Sequence, residues 1–222
     1  MCRFLLARSE EAASLASLLE EFAEMCAESR TVEGDRQEDG WGIAWLESGV
    51  WNRWRSLRPI WEEKGRFPSF PPTTLFAAHA RSAGFPDQKG VLAYNQPFLD
   101  HSLCFVFNGM IQGMRLNRPL AGRIGAQKVF SWAVERMGEE KADGETTLRD
   151  LRAWVLGSAR QVVACNIGMI SGGKLLALCQ YLDHPQYFTL RHASRGGLTL
   201  ICSEQIGSYV WNEMNSGDVL SL

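Results

Sequence analysis

Cys2 is the residue whose type and position point most directly to chemistry. Initiator methionine is removed from chains whose second side chain is small, so the mature chain is expected to begin at Cys2. A terminal cysteine carries a thiol and a free α-amine on one residue. The amine, with a reference pKa of about 7.7–8.0, keeps a neutral fraction near pH 7 and can act as a base. The thiol is nucleophilic even when only partly ionised. Nucleophile and base thus come from one residue, with no histidine required. Asn108-Gly109 can supply the complementary half. The asparagine offers a side-chain amide donor and the glycine a main-chain N–H unobstructed by a Cβ. Such a pair suits the oxyanion of a tetrahedral intermediate, where each donor is worth roughly 3–4 kcal/mol. Arg81, in the run Ala78-His79-Ala80-Arg81-Ser82-Ala83-Gly84, puts a guanidinium at a strand end, where it can grip a carboxylate through two parallel bonds.

The elements that must hold these residues follow from patterning. Residues 2–7 form an apolar run of strand length. Ser9 is the expected cap of a helix whose apolar stripe is Leu15, Leu18, Leu19, Phe22, Met25 and Cys26. Strands are expected over Trp41–Glu47, Val50 to about Leu57, Thr74–Ala80 and Leu103–Phe107, the last ending at Asn108-Gly109. Two helices follow, from about Ala126 to Met137 and from about Leu148 to Ala159, the second preceded by Thr146 and Thr147 as caps. Strands then return at 161–170, 174–182, 187–192 and 198–203, with short ones near 209–212 and 218–222. Strands, then helices, then strands, with few βαβ alternations, indicate an antiparallel α+β layered fold. The 222 residues fit one domain spanning 1–222, with no repeat or linker.

Composition narrows the function classes. Lys and Arg number 23 against 25 Asp and Glu, for a net charge of −2. That balance argues against partnership with nucleic acid or an anionic membrane surface. No apolar run approaches the ~20 residues of a membrane span. The start of the chain lacks a signal-peptide core, so the cytoplasm is the expected location. The six cysteines contain no C-x-x-C pair and no metal-ligand spacing. Cys26, Cys104, Cys165, Cys179 and Cys202 lie in apolar stripes or runs and are expected to be buried packing residues. His79 is expected to be a buried, hydrogen-bonded strand histidine, while His101, His184 and His192 have no ligand spacing. The run Trp51-Asn52-Arg53-Trp54-Arg55, with Arg58, could be a basic–aromatic binding face. Its alternation and the overall acidity favour a half-exposed hairpin.

Taken in order, these motifs resemble a class II glutamine amidotransferase domain, a member of the N-terminal-nucleophile hydrolases. The correspondence runs over Cys2, the Asp39-Gly40-Trp41-Gly42 turn, His79-x-Arg81, Asn95-Gln96-Pro97-Phe98, Asn108-Gly109, Ile201 to Glu204 and Gly217 to Leu220. The resemblance implies a four-layer αββα sandwich of two antiparallel sheets, with the nucleophile at the tip of the first strand. It implies thioester chemistry on a γ-glutamyl-type amide: Cys2 as nucleophile, Asn108 and Gly109 as oxyanion donors, and Arg81 on the substrate carboxylate. Ser82 and Gly84 occupy further substrate-binding positions, and no metal or cofactor is implied. The sequence departs from the family at Gly125, where many members carry the aspartate that grips the glutamine amine. Ser82, Gly84 and Phe85 replace a tryptophan and a Thr-His pair found in several members. An acylated or otherwise amine-lacking amide therefore suits the pocket better than free glutamine.

The length leaves no room for a fused synthase, so the expected form is a stand-alone hydrolase or a glutaminase subunit passing ammonia to a separate synthase. A branch removing a γ-glutamyl group from a small sulfur-containing metabolite is closer in size. A catalytically silent member that binds a small molecule or a partner protein is the alternative. A cysteine redox protein would need a resolving thiol near Cys2, and none is evident.

Overall fold

The computed structural model describes residues 1–139 and 142–222. The first strand, β1 (Arg3–Ala13), leads into α1 (Ala16–Glu28), and the hairpin β2 (Trp41–Glu47) and β3 (Val50–Ser56) follows. After two 3₁₀ segments come β4 (Thr73–Ala80), β5 (Phe98–Asp100) and β6 (Leu103–Gln112). Helices α2 (Gly125–Met137) and α3 (Gly144–Ser158) precede β7 (Gln161–Ser171) and β8 (Lys174–Leu178). A one-turn helix α4 (Pro185–Phe188) then leads to β9 (Arg191–Arg195), β10 (Leu198–Cys202), β11 (Asn212–Glu213) and β12 (Val219–Ser221).

Two antiparallel sheets result. One has seven strands in the order β11-β9-β10-β1-β4-β2-β3, the other five in the order β12-β8-β7-β6-β5. Alternation along β1 shows how the layers stack, because side chains two apart share a face. Leu5 and Ala7 join Leu19, Phe22 and Cys26 of α1 in one core. Phe4 and Leu6 face the other way, against Cys104 and Val106 of β6 and Ile170 of β7. On the far side of the second sheet, Phe105, Ile167 and Met169 pack against Val129 of α2 and Leu151 of α3. Trp132 and Trp154 stack between those two helices, centroids 5.1 Å apart and 8° from parallel. The layers are therefore α1, seven-stranded sheet, five-stranded sheet, then α2 with α3: the expected αββα sandwich.

Element boundaries differ from the sequence reading where tertiary pairing overrides local signals. Ser9 does not cap a helix; it lies inside β1, opposite Leu198, and its hydroxyl donates to the Glu11 carbonyl. Strand pairing extends through this acidic stretch, and α1 begins only at Ala16 with no side-chain cap. The cap of α3 is Asp143, which accepts from the Thr146 amide at 2.7 Å, rather than either threonine. Residues 185–188 form α4 and not the start of a strand, because Tyr187 and Phe188 turn inward beside Met1. β8 stops at Leu178, and β6 continues through Asn108-Gly109 to Gln112. That pair is thus mid-strand, opposite Asn166 and Cys165, and is not a hairpin turn.

Leu6 is fully buried between the sheets. Leu6→Ala is expected to lower unfolding free energy by about 2–5 kcal/mol through lost burial and the cavity left behind. Urea unfolding of the two chains, followed by tryptophan fluorescence, measures this.

Candidate active site

The two sheets meet at the start of β1 and the middle of β6. There the Cys2 main-chain nitrogen donates to Asn108 Oδ1 at 3.1 Å, joining residues 106 positions apart. The neighbouring Arg3 pins this end of β1. Its buried guanidinium donates to Ser29 Oγ (3.0 Å), the Tyr187 carbonyl (2.8 Å) and the Ser203 carbonyl (3.0 Å), and pairs with the Glu204 carboxylate. It also lies 3.8 Å from the Tyr187 ring centroid. A buried cation is tolerable only when paired and hydrogen-bonded in this way, so the position next to Cys2 is held by many bonds at once. The Tyr187 hydroxyl donates to the Met1 carbonyl at 2.9 Å and lies 3.3 Å from that of Cys2.

Asn108 is fully buried, and with Oδ1 facing Cys2 its Nδ2 has no acceptor among the described residues. A buried unpaired donor costs about 1–3 kcal/mol, and this one lies at the corner where Cys2 meets β6. Gly109 has a separate reason to be glycine: an added Cβ would sit 2.2 Å from the Ala164 carbonyl oxygen of β7. Around this corner, Gln96 mimics a strand partner for Phe107. It accepts from the Phe107 amide at 2.6 Å and donates to its carbonyl at 3.2 Å. His79 Nε2 lies 3.3 Å from the same carbonyl, which assigns the ring proton to Nε2. Burial, reinforced by the nearby Arg81 charge, pushes His79 down to about 3, so it is a neutral positioning group and not an acid or base at pH 7.

Arg81 follows β4, and the Asp39–Gly42 turn holds it. The Arg81 amide donates to the Gly40 carbonyl at 2.8 Å, and Asp39 Oδ2 accepts from the Ala83 amide at 2.7 Å. Gly40 adopts φ +111°, and a Cβ there would strike Asn95 Nδ2 at 2.2 Å. The Arg81 guanidinium donates to the Gln88 carbonyl at 2.9 Å and reaches Asn95 Oδ1 at 3.5 Å, both neutral partners. It is 4% exposed and has no carboxylate partner among the described residues. The supposed basic–aromatic face of β3 also serves this corner. Arg53 Nη1 donates to the Pro97 carbonyl (3.3 Å) and Arg55 Nη1 to the Asn95 carbonyl (3.3 Å), fastening the 95–97 segment.

Part of this corner borders a cavity of about 370 Å³, while Asn108 itself is fully buried and is not among the lining residues. Cys2, Arg81, Ser82, Gly84 and Gly109 all line it. The Cys2 thiol is half-buried and points toward the Ser82 carbonyl, S···O 3.7 Å. The other cysteines are buried, as their apolar settings suggested; burial pushes Cys165 and Cys202 up to about 12 and Cys179 to about 11. Cys2 is therefore the one thiol, among the described residues, with both access and polar neighbours. No group of three or more His, Cys, Asp or Glu side chains converges among the described residues. No described helix is long and apolar enough to cross a membrane. Sequence reasoning missed Tyr187, whose hydroxyl holds the Met1 carbonyl, and Lys128, which lines the cavity. Tyr187 was hidden in an apolar run resembling a strand, and Lys128 in an amphipathic helix pattern.

The depressed His79 titration has a sign. Between about pH 6.5 and 3 the unfolded chain binds a proton that the folded chain refuses. The stabilisation is complete above the unfolded pKa and is lost as pH falls, by about 1.4 kcal/mol per pH unit. Urea titrations at pH 7 and pH 5 are expected to differ by about 2 kcal/mol more for the native chain than for His79→Gln.

No family model matches the chain. The gamma-glutamyl-hercynylcysteine sulfoxide hydrolase of Mycobacterium tuberculosis is 25% identical over 157 residues, which are 68% of this chain and 63% of that protein. The chain thus spans under two thirds of the curated relative it matches. Among solved structures, a glutamine aminotransferase class-II domain protein from Silicibacter pomeroyi superposes with a TM-score of 0.63 at 14% identity, covering 99% of this chain and 94% of that one. Glutamine phosphoribosylpyrophosphate amidotransferase from B. subtilis gives a TM-score of 0.68 at 11% identity, covering 99% of this chain and 47% of that one. The layer order, the antiparallel sheets and these superpositions agree with the resemblance carried by the motifs: the chain has the fold of the class II glutamine amidotransferase domains of the N-terminal-nucleophile hydrolases.

Proposed function

We propose that this protein is an N-terminal-cysteine amidohydrolase that cleaves a γ-glutamyl-type or related amide through a thioester. The observation that carries this reading is the bond from the Cys2 nitrogen to Asn108 Oδ1, with the unpaired Asn108 Nδ2 beside it. Removal of Met1 converts the Cys2 peptide nitrogen into an α-amine that keeps the same acceptor. The neutral amine takes the thiol proton, and Sγ attacks the amide carbon. Negative charge passes to the carbonyl oxygen, which Asn108 Nδ2–H and the Gly109 amide stabilise. The C–N bond breaks as the α-ammonium returns the proton to the leaving nitrogen. Water, deprotonated by the same amine, then attacks the thioester; the C–S bond breaks, releasing the carboxylate and regenerating the thiol. Arg81 holds the substrate carboxylate. The relative named as a gamma-glutamyl hydrolase supports this reaction class. A reducing compartment such as the cytoplasm suits six unpaired thiols.

Met1 favours a second reading. The residue is 8% exposed and packed with Tyr187 and Phe188, and its carbonyl accepts from Tyr187. A chain that retained this methionine would have no free amine at Cys2 and would bind amides without cleaving them. Under the hydrolase reading, excision precedes folding, while Met1 is still accessible.

Intact mass measurement of the native chain, before and after treatment with a glutamine-like electrophile, separates the two. Loss of Met1 and a single adduct on Cys2 are expected; retained Met1 or an unlabelled Cys2 supports the silent reading. Cys2→Ala is expected to abolish ammonia release, and Asn108→Ala to lower kcat about 10²–10³-fold. Arg81→Ala is expected to raise KM for a carboxylate-bearing amide by about tenfold or more, with little change for an uncharged amide.

A further inference from the structure

The charged side chains lining the cavity are Arg81 and Lys128, and no carboxylate lines it among the described residues. Arg81 spends its donors on neutral oxygens. Lys128 makes no ion pair among the described residues, although it stands in the first turn of α2, where the positive end of the helix disfavours a cation. That turn contains no acidic residue. Asp39, on the turn that holds Arg81, is already occupied by the Ala83 amide and by Lys89 at 3.4 Å. A substrate ammonium entering this cavity would meet like charges and no counter-charge, whereas an anion would relieve two cations at once. The wall also has space: a side chain at Gly84 or Gly125 would meet nothing within 4 Å. Beside it, Phe85 (54% exposed) and Leu116 (38% exposed) form an uncovered apolar lip.

We propose that the substrate is a net-anionic amide whose amine is acylated, with one carboxylate on Arg81 and a second anionic group, carried on the acyl arm, read by Lys128. The inference rests on the hydrolase reading for its chemistry but can be tested by binding alone. The probes are glutamine (zwitterion), N-acetylglutamine (one negative charge) and N-succinylglutamine (two), titrated calorimetrically into Cys2→Ala. N-acetylglutamine is expected to bind about tenfold more tightly than glutamine, as loss of an uncompensated ammonium implies. N-succinylglutamine is expected to bind about three- to fivefold more tightly again, the scale of a partly exposed ion pair. Lys128→Met should remove the second step, with N-acetylglutamine still binding more tightly than glutamine because Arg81 remains. Glutamine binding as tightly as N-acetylglutamine, a succinyl preference unchanged in Lys128→Met, or no binding of any probe would overturn the inference. Ammonia release by the native chain separates the two claims. Binding in the expected order without release removes the hydrolase reading and leaves the charge selection standing. Release fastest from glutamine does the reverse.

Discussion

One hydrogen bond between the sheets, from the Cys2 nitrogen to Asn108 Oδ1, sets the terms for this molecule. It requires the first residues of β1 to stand over the middle of β6 with the correct side chains facing. Side chains on a strand alternate, so a slip of one residue in β1 would send Phe4 and Leu6 outward and bring Leu5 and Ala7 into the inter-sheet core. The packing of that core and the alignment of the site are therefore the same constraint. Arg3 strengthens it by tying β1 to α1, α4 and the end of β10 through one buried guanidinium.

The surroundings follow a consistent electrostatic plan. Gln96, Asn95 and His79 are buried, and each holds a main-chain carbonyl through a neutral bond. Their work is positional. Interactions in such a low-dielectric setting are stronger than in water, and unmet groups are correspondingly costly. Among the groups left unmet, Asn108 Nδ2 and the charge of Arg81, which has neutral partners only, belong to the candidate site. Arginines that looked like a binding face, Arg53 and Arg55, instead brace the segment from which Asn95 and Gln96 project.

Much of this was legible beforehand, and the failures share a cause. The α1 stripe, β2 and α2 follow from periodicity because each buries one face, and burial imposes the period. The Ser9 reading failed because a local cap signal competes with strand pairing that only Leu75 and Leu198 make visible. The strand expected over 187–192 begins only at Arg191, because Tyr187 and Phe188 suit a strand as well as one inward-facing helical turn. Asn108-Gly109 reads as the end of a strand until β7 is seen running alongside it, so close that a Cβ at Gly109 has no room.

By itself, the sequence determined the layered antiparallel class, the burial of five cysteines and the short list of residues able to carry chemistry, since these depend on residue type and nearby spacing. Tertiary structure decided which of them meet. Cys2, Arg81 and Asn108 are separated by long stretches of chain, and their distances depend on sheet register and stacking, which local pattern does not encode. It also decided the charge of the cavity. Lys128 becomes part of the site only because α2 packs across the sheet that carries Gly109.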